Sequence, residues 1–133
     1  MFRIAVLLSG AGSNFVSVAK AVEDGTIPNS EIVCVISDNP GAKGIEHANS
    51  MGLSTYALNK KELKGGLSDE ILKILKENEP VDLIILAGFL SILKGDIIDA
   101  FENKIINIHP SLIPAFCGQG MWGLNVHKAV IDY

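Results

Sequence analysis

Four apolar runs, FRIAVLL, EIVCVIS, VDLIILAGF and KIINIH, punctuate this chain, and segments of helical length separate them. A run that is apolar at nearly every position, rather than at alternate ones, suits a strand covered on both faces. Strands of that kind, joined through helices, build a parallel sheet in a doubly wound α/β domain. Sheets of this class take their ligands at the carboxyl ends of the strands. The polar punctuation of this sequence (SGAGSN, AGFLS and NIHPS) falls at those ends.

The intervening segments fit this reading. After SGAGSN, Phe15, Val18, Ala19 and Val22 fall at i, i+3, i+4 and i+7, one face of a helix that Gly25 and Pro28 stop. DNPG is a turn after the second strand, Lys43 to Met51 a helix closed by Gly52, and STYAL a short third strand. NKKELKGG reads as a polar loop with a solvated face. SDEILKILKEN reads as a helix capped by Ser68, with acids in its first turn, and Pro80 ends it. KGDIIDAFEN supplies a helical turn or two before the last run. In GLNVHKAVIDY, Val126, Ala129, Val130 and Tyr133 recur at helical spacing, and the chain ends without a helix stop signal. The expectation is one domain over residues 1–133, cut short of its complete fold.

Composition narrows the partners. With 48% hydrophobic residues, 20% charged residues and a net charge of −4, the chain can bury a core. It lacks the basic footprint of a nucleic-acid or anionic-membrane surface. No apolar run approaches the ~20 residues of a membrane span. MFRIAVLLSG reads as a first buried strand rather than a signal peptide, because only one basic residue precedes its short apolar part. Cys34 and Cys117 are far apart and form no C-x-x-C pattern, so a reduced, cytoplasmic protein without disulfides or metal is expected.

Gly10 and Gly12 lie where backbone amides can approach an anion, just before a helix N-terminus, and Ser13 and Asn14 add side-chain donors. That arrangement suits a phosphate group; the alternative is a tight turn in which Ser13 or Asn14 merely caps the helix. Asp38 follows the second strand, where a dinucleotide-binding protein keeps its ribose-binding acid. However, Phe15 stands where the third glycine of G-x-G-x-x-G belongs, so a compact phosphate monoester fits better than a pyrophosphate.

NIHPSLIP is more specific. Strand side chains alternate, so Asn107 and His109 share one side of the sheet and Ile108 takes the other, while Pro110 and Pro114 shape the exit. An amide donor beside a titratable imidazole at a strand's carboxyl end suits an oxyanion with an acid–base partner; the alternative is a satisfied core pair holding a loop. AGFLSIL leaves its strand through Gly88. Backbone groups there can bond a flat heterocycle while Leu90, Ile92 and Leu93 pack on it, or the stretch simply turns into core. His47 and His127 read as ordinary helix histidines.

In this order, LLSGAGSN, VISDNPGAKGIEHA, DLIILAGFLSIL and INIHPSLIPAFCG resemble the phosphoribosylglycinamide formyltransferases over essentially the whole chain. NIHPSLIP alone marks the wider formyltransferase superfamily, and GSN after the first strand narrows it. The resemblance implies a Rossmann-like, three-layer formyltransferase fold, with this chain as its N-terminal part. It also implies formyl transfer from 10-formyltetrahydrofolate, the co-substrate, to the amine of glycinamide ribonucleotide in purine synthesis. It gives Gly12, Ser13 and Asn14 the nucleotide phosphate. Leu90, Ser91, Ile92, Leu93 and Asn107 take the folate, with Lys64 a candidate for the same role. Asn107 and His109 become the catalytic pair.

Three stretches depart from the family's usual form. Position 91 is Ser where many relatives carry Arg, NKKELKGGLS lacks the usual arginine, and CGQGMWGLNVH is longer than in the shortest relatives. The family continues past Tyr133 with further strands, a catalytic Asp that keeps the His protonated and a terminal helix; Asp132 is not that residue. Residues 1–133 alone are therefore expected to be poorly active, as a monomer or homodimer. The alternatives are a formyltetrahydrofolate hydrolase, with water as nucleophile, and a noncatalytic module that uses only the phosphate loop.

Overall fold

The computed structural model describes residues 1–108; His109, Cys117, His127, Asp132 and the segment read as a last helix lie outside the described residues. Strand β1 (Phe2–Leu8) leads to helix α1 (Ser13–Glu23), β2 (Ser30–Ser37), α2 (Lys43–Ser50) and β3 (Thr55–Ala57). Helices α3 (Lys60–Leu63) and α4 (Leu67–Glu77) follow, then β4 (Leu83–Ala87), α5 (Asp96–Ala100) and β5 (Ile105–Ile108). The five strands form one sheet in the order β3-β2-β1-β4-β5, and every neighbouring pair is parallel. This is the doubly wound α/β architecture expected from the apolar runs.

Side-chain alternation divides the core into two layers. On one face, Ala5, Leu7, Cys34, Ile36, Ile84, Leu86 and Ile105 pack with Ile71 and Leu75 of α4 and Ile97 of α5. On the other, Ile4, Val6, Leu8, Val35, Ile85 and Ala87 pack with Phe15 and Val18 of α1 and Ile45 and Ala48 of α2. The chain crosses from one half of the sheet to the other between β3 and β4, so strand order reverses between β1 and β4. A crevice therefore opens at the carboxyl ends of these two central strands, where ligands of such sheets bind.

Two local expectations are corrected. Within NKKELKGG, read as a loop, Lys60–Leu63 is a short helix whose first amides are met by Asn59: its Oδ1 accepts from Lys61 N–H at 3.0 Å and Glu62 N–H at 3.4 Å. Ser68 does not cap α4. The helix begins two residues earlier than a Ser68 cap would require, after Gly66, and the buried Ser68 hydroxyl instead accepts the Lys94 N–H at 3.0 Å, tying the segment before α5 to α4. At the amino ends of the central strands, Arg3 donates to Pro80 O at 2.6 Å, Asn78 O at 3.0 Å and Glu31 at 3.0 Å, fastening β1 to the α4–β4 connection and to β2.

Candidate active site

The β1–α1 turn forms one wall of the crevice. Gly12 has φ +83°, in the left-handed region, and a Cβ there would lie 2.5 Å from the Cα of Gly44, at the start of α2. Gly44 N–H donates to Gly10 O at 3.0 Å, so the N-termini of α1 and α2 are held side by side. Gly12 thus has a packing duty that the sequence reading, which gave it only to phosphate, did not include. Gly10 has open space around it, Ser13 is exposed, and no side chain caps α1. The N-terminus of α1, with its positive dipole end, thus lies at a strand's carboxyl end without a side-chain cap, an arrangement that suits a phosphate group.

The second wall is the loop from β4 to α5. Gly88 turns it at φ +73°, and a Cβ there would lie 3.9 Å from Asn14 Nδ2, so this loop and the β1–α1 turn meet. Ser9 N–H donates to Gly88 O at 3.3 Å, and Leu90 N–H donates to Ser9 Oγ at 2.8 Å. Leu90 and Ile92 are left 77% and 82% exposed, whereas Leu93 packs against the α4–α5 layer. Two large apolar side chains held outward beside a crevice offer a hydrophobic contact to a ligand rather than to the core.

Asn107 lies near the end of β5, the strand beside β4. In register it stands opposite Leu86 and shares the α4–α5 face with Ile105, while Ile106 and Ile108 pack on the α1–α2 face. The alternation expected for Asn107 and Ile108 is therefore present; the position of His109 lies outside the described residues. The Oδ1 of Asn107 is buried and, among the described residues, has no hydrogen-bond partner. Leaving such an acceptor empty costs about 1–3 kcal/mol, a cost that a bound donor group recovers.

A cavity of about 360 Å³ continues the crevice toward β2 and α3, lined in part by Ser9, Asp38, Lys60, Lys61 and Leu90. Lys64, the candidate from sequence, caps α3 in the left-handed conformation and is not among its lining residues. Asp38, weighed as a ribose ligand, is buried and accepts a hydrogen bond from the Ser91 hydroxyl, with Lys60 Nζ 3.9 Å away. Phe15 is fully buried between α1 and the sheet, as expected of a residue that takes the place of a fingerprint glycine. His47 is exposed on α2, an ordinary helix histidine. Among the described residues no helix is long and apolar enough to cross a membrane, and no group of three or more His, Cys, Asp or Glu side chains could hold a metal.

A parallel sheet whose strand order reverses between β1 and β4, with a glycine turn opening onto a helix N-terminus, defines a doubly wound α/β protein with a candidate ligand site at its switch point. The chain belongs to the formyl transferase family, which it matches over residues 2–132. It is 36% identical to the chloroplastic phosphoribosylglycinamide formyltransferase of Arabidopsis thaliana over 132 residues, 98% of this chain and 45% of that protein. It is 37% identical to the Vigna unguiculata counterpart, over 97% of this chain and 41% of that one. Among solved structures it superposes on glycinamide ribonucleotide transformylase 1 from Geobacillus kaustophilus with a TM-score of 0.78 at 34% identity, covering 98% of this chain and 67% of that chain. The chain thus spans less than half the length of the two plant relatives.

Proposed function

We propose that these residues carry the nucleotide cradle, the formyl-donor loop and two catalytic side chains of a glycinamide ribonucleotide formyltransferase that uses 10-formyltetrahydrofolate. The observation that carries the reading is the buried Oδ1 of Asn107, without a hydrogen-bond partner among the described residues, together with an uncapped helix N-terminus and the exposed Leu90 and Ile92 at the carboxyl ends of the strands. A phosphate, a flat apolar donor and an amide that reads the reacting centre are the three recognitions such a transfer needs.

In this reading Gly12, Ser13 and Asn14 hold the phosphate of glycinamide ribonucleotide. The loop from Leu90 to Leu93 meets the folate ring through the exposed Leu90 and Ile92, with Lys60 and Lys61 lining the adjoining cavity. The amine attacks the formyl carbon, a C–N bond forms, and the carbonyl oxygen becomes an oxyanion. Asn107 Nδ2 donates to that oxyanion, while Oδ1 accepts an N–H of the attacking amine. His109 moves the amine's proton to the folate nitrogen as the old C–N bond breaks, leaving tetrahydrofolate and the formylated nucleotide. No metal takes part. The buried, unpaired Cys34 accords with a reducing compartment, and the cytoplasm is the proposed one.

The test follows the formyl group in the natural polypeptide that carries residues 1–133. Labelled formyl should appear on glycinamide ribonucleotide, and Asn107→Ala should lower its transfer by ~10²–10³, the usual loss for one oxyanion donor. Formate released without regard to the nucleotide would establish the hydrolase instead. Full turnover by Asn107→Ala would remove Asn107 from the chemistry.

A further inference from the structure

Asp38 is a buried carboxylate that the proposed reaction does not use. Its side chain is 2% exposed, yet its only recorded side-chain partners among the described residues are the Ser91 hydroxyl and Lys60 Nζ at 3.9 Å. Burying a carboxylate with so little compensation is costly, and a hydrophobic replacement would generally serve stability as well. The two partners come from separate segments: Ser91 from the β4–α5 loop, next to the cavity-lining Leu90, and Lys60, which also lines the cavity, from the start of α3. Asp38 itself directly follows β2, and β1 lies between β2 and β4 in the sheet. The same loop is tied at Leu90, whose N–H meets Ser9 Oγ at 2.8 Å, and at Lys94, whose N–H meets Ser68 Oγ at 3.0 Å. Between those backbone ties, the Ser91 side chain turns inward to Asp38 while Leu90 and Ile92 stay 77% and 82% exposed.

We infer that Asp38 is the positioning residue of the formyl-donor loop: through Ser91 and Lys60 it fixes the loop against α3 and keeps Leu90 and Ile92 turned outward for a flat, apolar ligand. This rests on the reading of that loop as the folate contact. Without the inward bond at Ser91, the loop between its two backbone ties gains conformations in which Leu90 and Ile92 fold back onto the surface. Those conformations do not bind the donor, so apparent affinity falls by the fraction that remains competent.

The experiment measures binding of 5-formyltetrahydrofolate, a folate that does not transfer its formyl group, and of glycinamide ribonucleotide to the natural polypeptide. Ser91→Ala should weaken folate binding about tenfold, the loss expected for one hydrogen bond to a charged group, and leave nucleotide affinity unchanged. Ser91→Thr, which keeps the hydroxyl, should restore it. Amide hydrogen exchange on residues 1–133 reads the same tie without any ligand, and Leu90 to Leu93 should exchange faster in Ser91→Ala and in Asp38→Ala, but not in Ser91→Thr. Unaltered exchange in those variants overturns the inference. So does a loss of both affinities together with thermal stability, which would mark a merely structural contact. If exchange responds as expected but wild-type protein binds no folate, the loop tie stands and the folate reading fails.

Discussion

Gly12→Ala tests whether the β1–α1 turn is a packing junction as well as a ligand loop. Two costs add. An L-residue in the left-handed region pays ~1–2 kcal/mol against glycine. The new Cβ would also lie 2.5 Å from Gly44 Cα, which is backbone and cannot rotate away. Carbon atoms are content at ~3.5–4.0 Å, so α1 and α2 must part by about 1 Å. Overpacking of that kind typically costs ~1–3 kcal/mol. The sum, roughly 2–5 kcal/mol, is a large part of the 5–15 kcal/mol that holds an ordinary domain together. Urea unfolding followed by circular dichroism should show the midpoint falling by roughly 0.7–5 M, given slopes of ~1–3 kcal/mol per M. Gly10→Ala is the control: nothing lies within 4 Å of its Cβ position, and its stability should stay within about 0.5 kcal/mol of wild type. Gly44→Ala should fall between them, because its new methyl meets the Leu8 methyl groups at 2.7 and 2.8 Å, which can shift, and the Gly12 Cα only at 3.1 Å. Gly12→Ala unfolding within 0.5 kcal/mol of wild type would refute the reasoning and return Gly12 to a phosphate role alone.

Asn107→Leu should separate stability from function. Replacing an amide whose buried oxygen has no partner among the described residues should leave stability equal to wild type or raise it by up to ~1 kcal/mol, while formyl transfer falls by ~10²–10³; denaturation and turnover assays check the two halves. For Cys34, burial pushes the thiol up to about 11 from an ordinary value of 9.0, against a smaller downward pull from Arg3. The unfolded chain releases this proton first. The stabilisation from the neutral buried thiol is therefore complete below about pH 9 and declines as pH rises toward 11, by up to ~1.4 kcal/mol per unit. Urea midpoints at pH 8, 9 and 10 should fall more steeply for wild type than for Cys34→Ala, and parallel profiles would contradict the burial argument.

The strands were legible because their pattern is set by burial on both faces: Val6, Val35 and Ile85 face one helical layer while Leu7, Ile36 and Leu86 face the other, so no polar position interrupts the runs. Their order was not legible. It depends on where the chain crosses over between β3 and β4, which no local residue specifies. Helix α3 was missed although its signal was present: Asn59 followed by Glu62 is an N-cap spacing, overridden in the reading by the surrounding lysines and the glycines after it. Ser68 looked like a cap because serine usually is one; its hydroxyl is instead taken by a backbone amide 26 residues away. The crevice walls followed from polar punctuation at strand ends. By contrast, the contact of Gly12 with Gly44 and the link from Asp38 to Ser91 join residues remote in sequence, so only the fold reveals them.

The most direct test of a two-ligand site at this switch point is an amide chemical-shift map of residues 1–133. Glycinamide ribonucleotide should shift Gly10 through Asn14, with a far weaker response to the unphosphorylated glycinamide riboside. The folate should shift Leu90 through Leu93, and Asn107 should respond to both. Saturable shifts confined to another surface, such as the groove between α4 and α5 near Asp69, Lys73 and Asp96, would contradict the account.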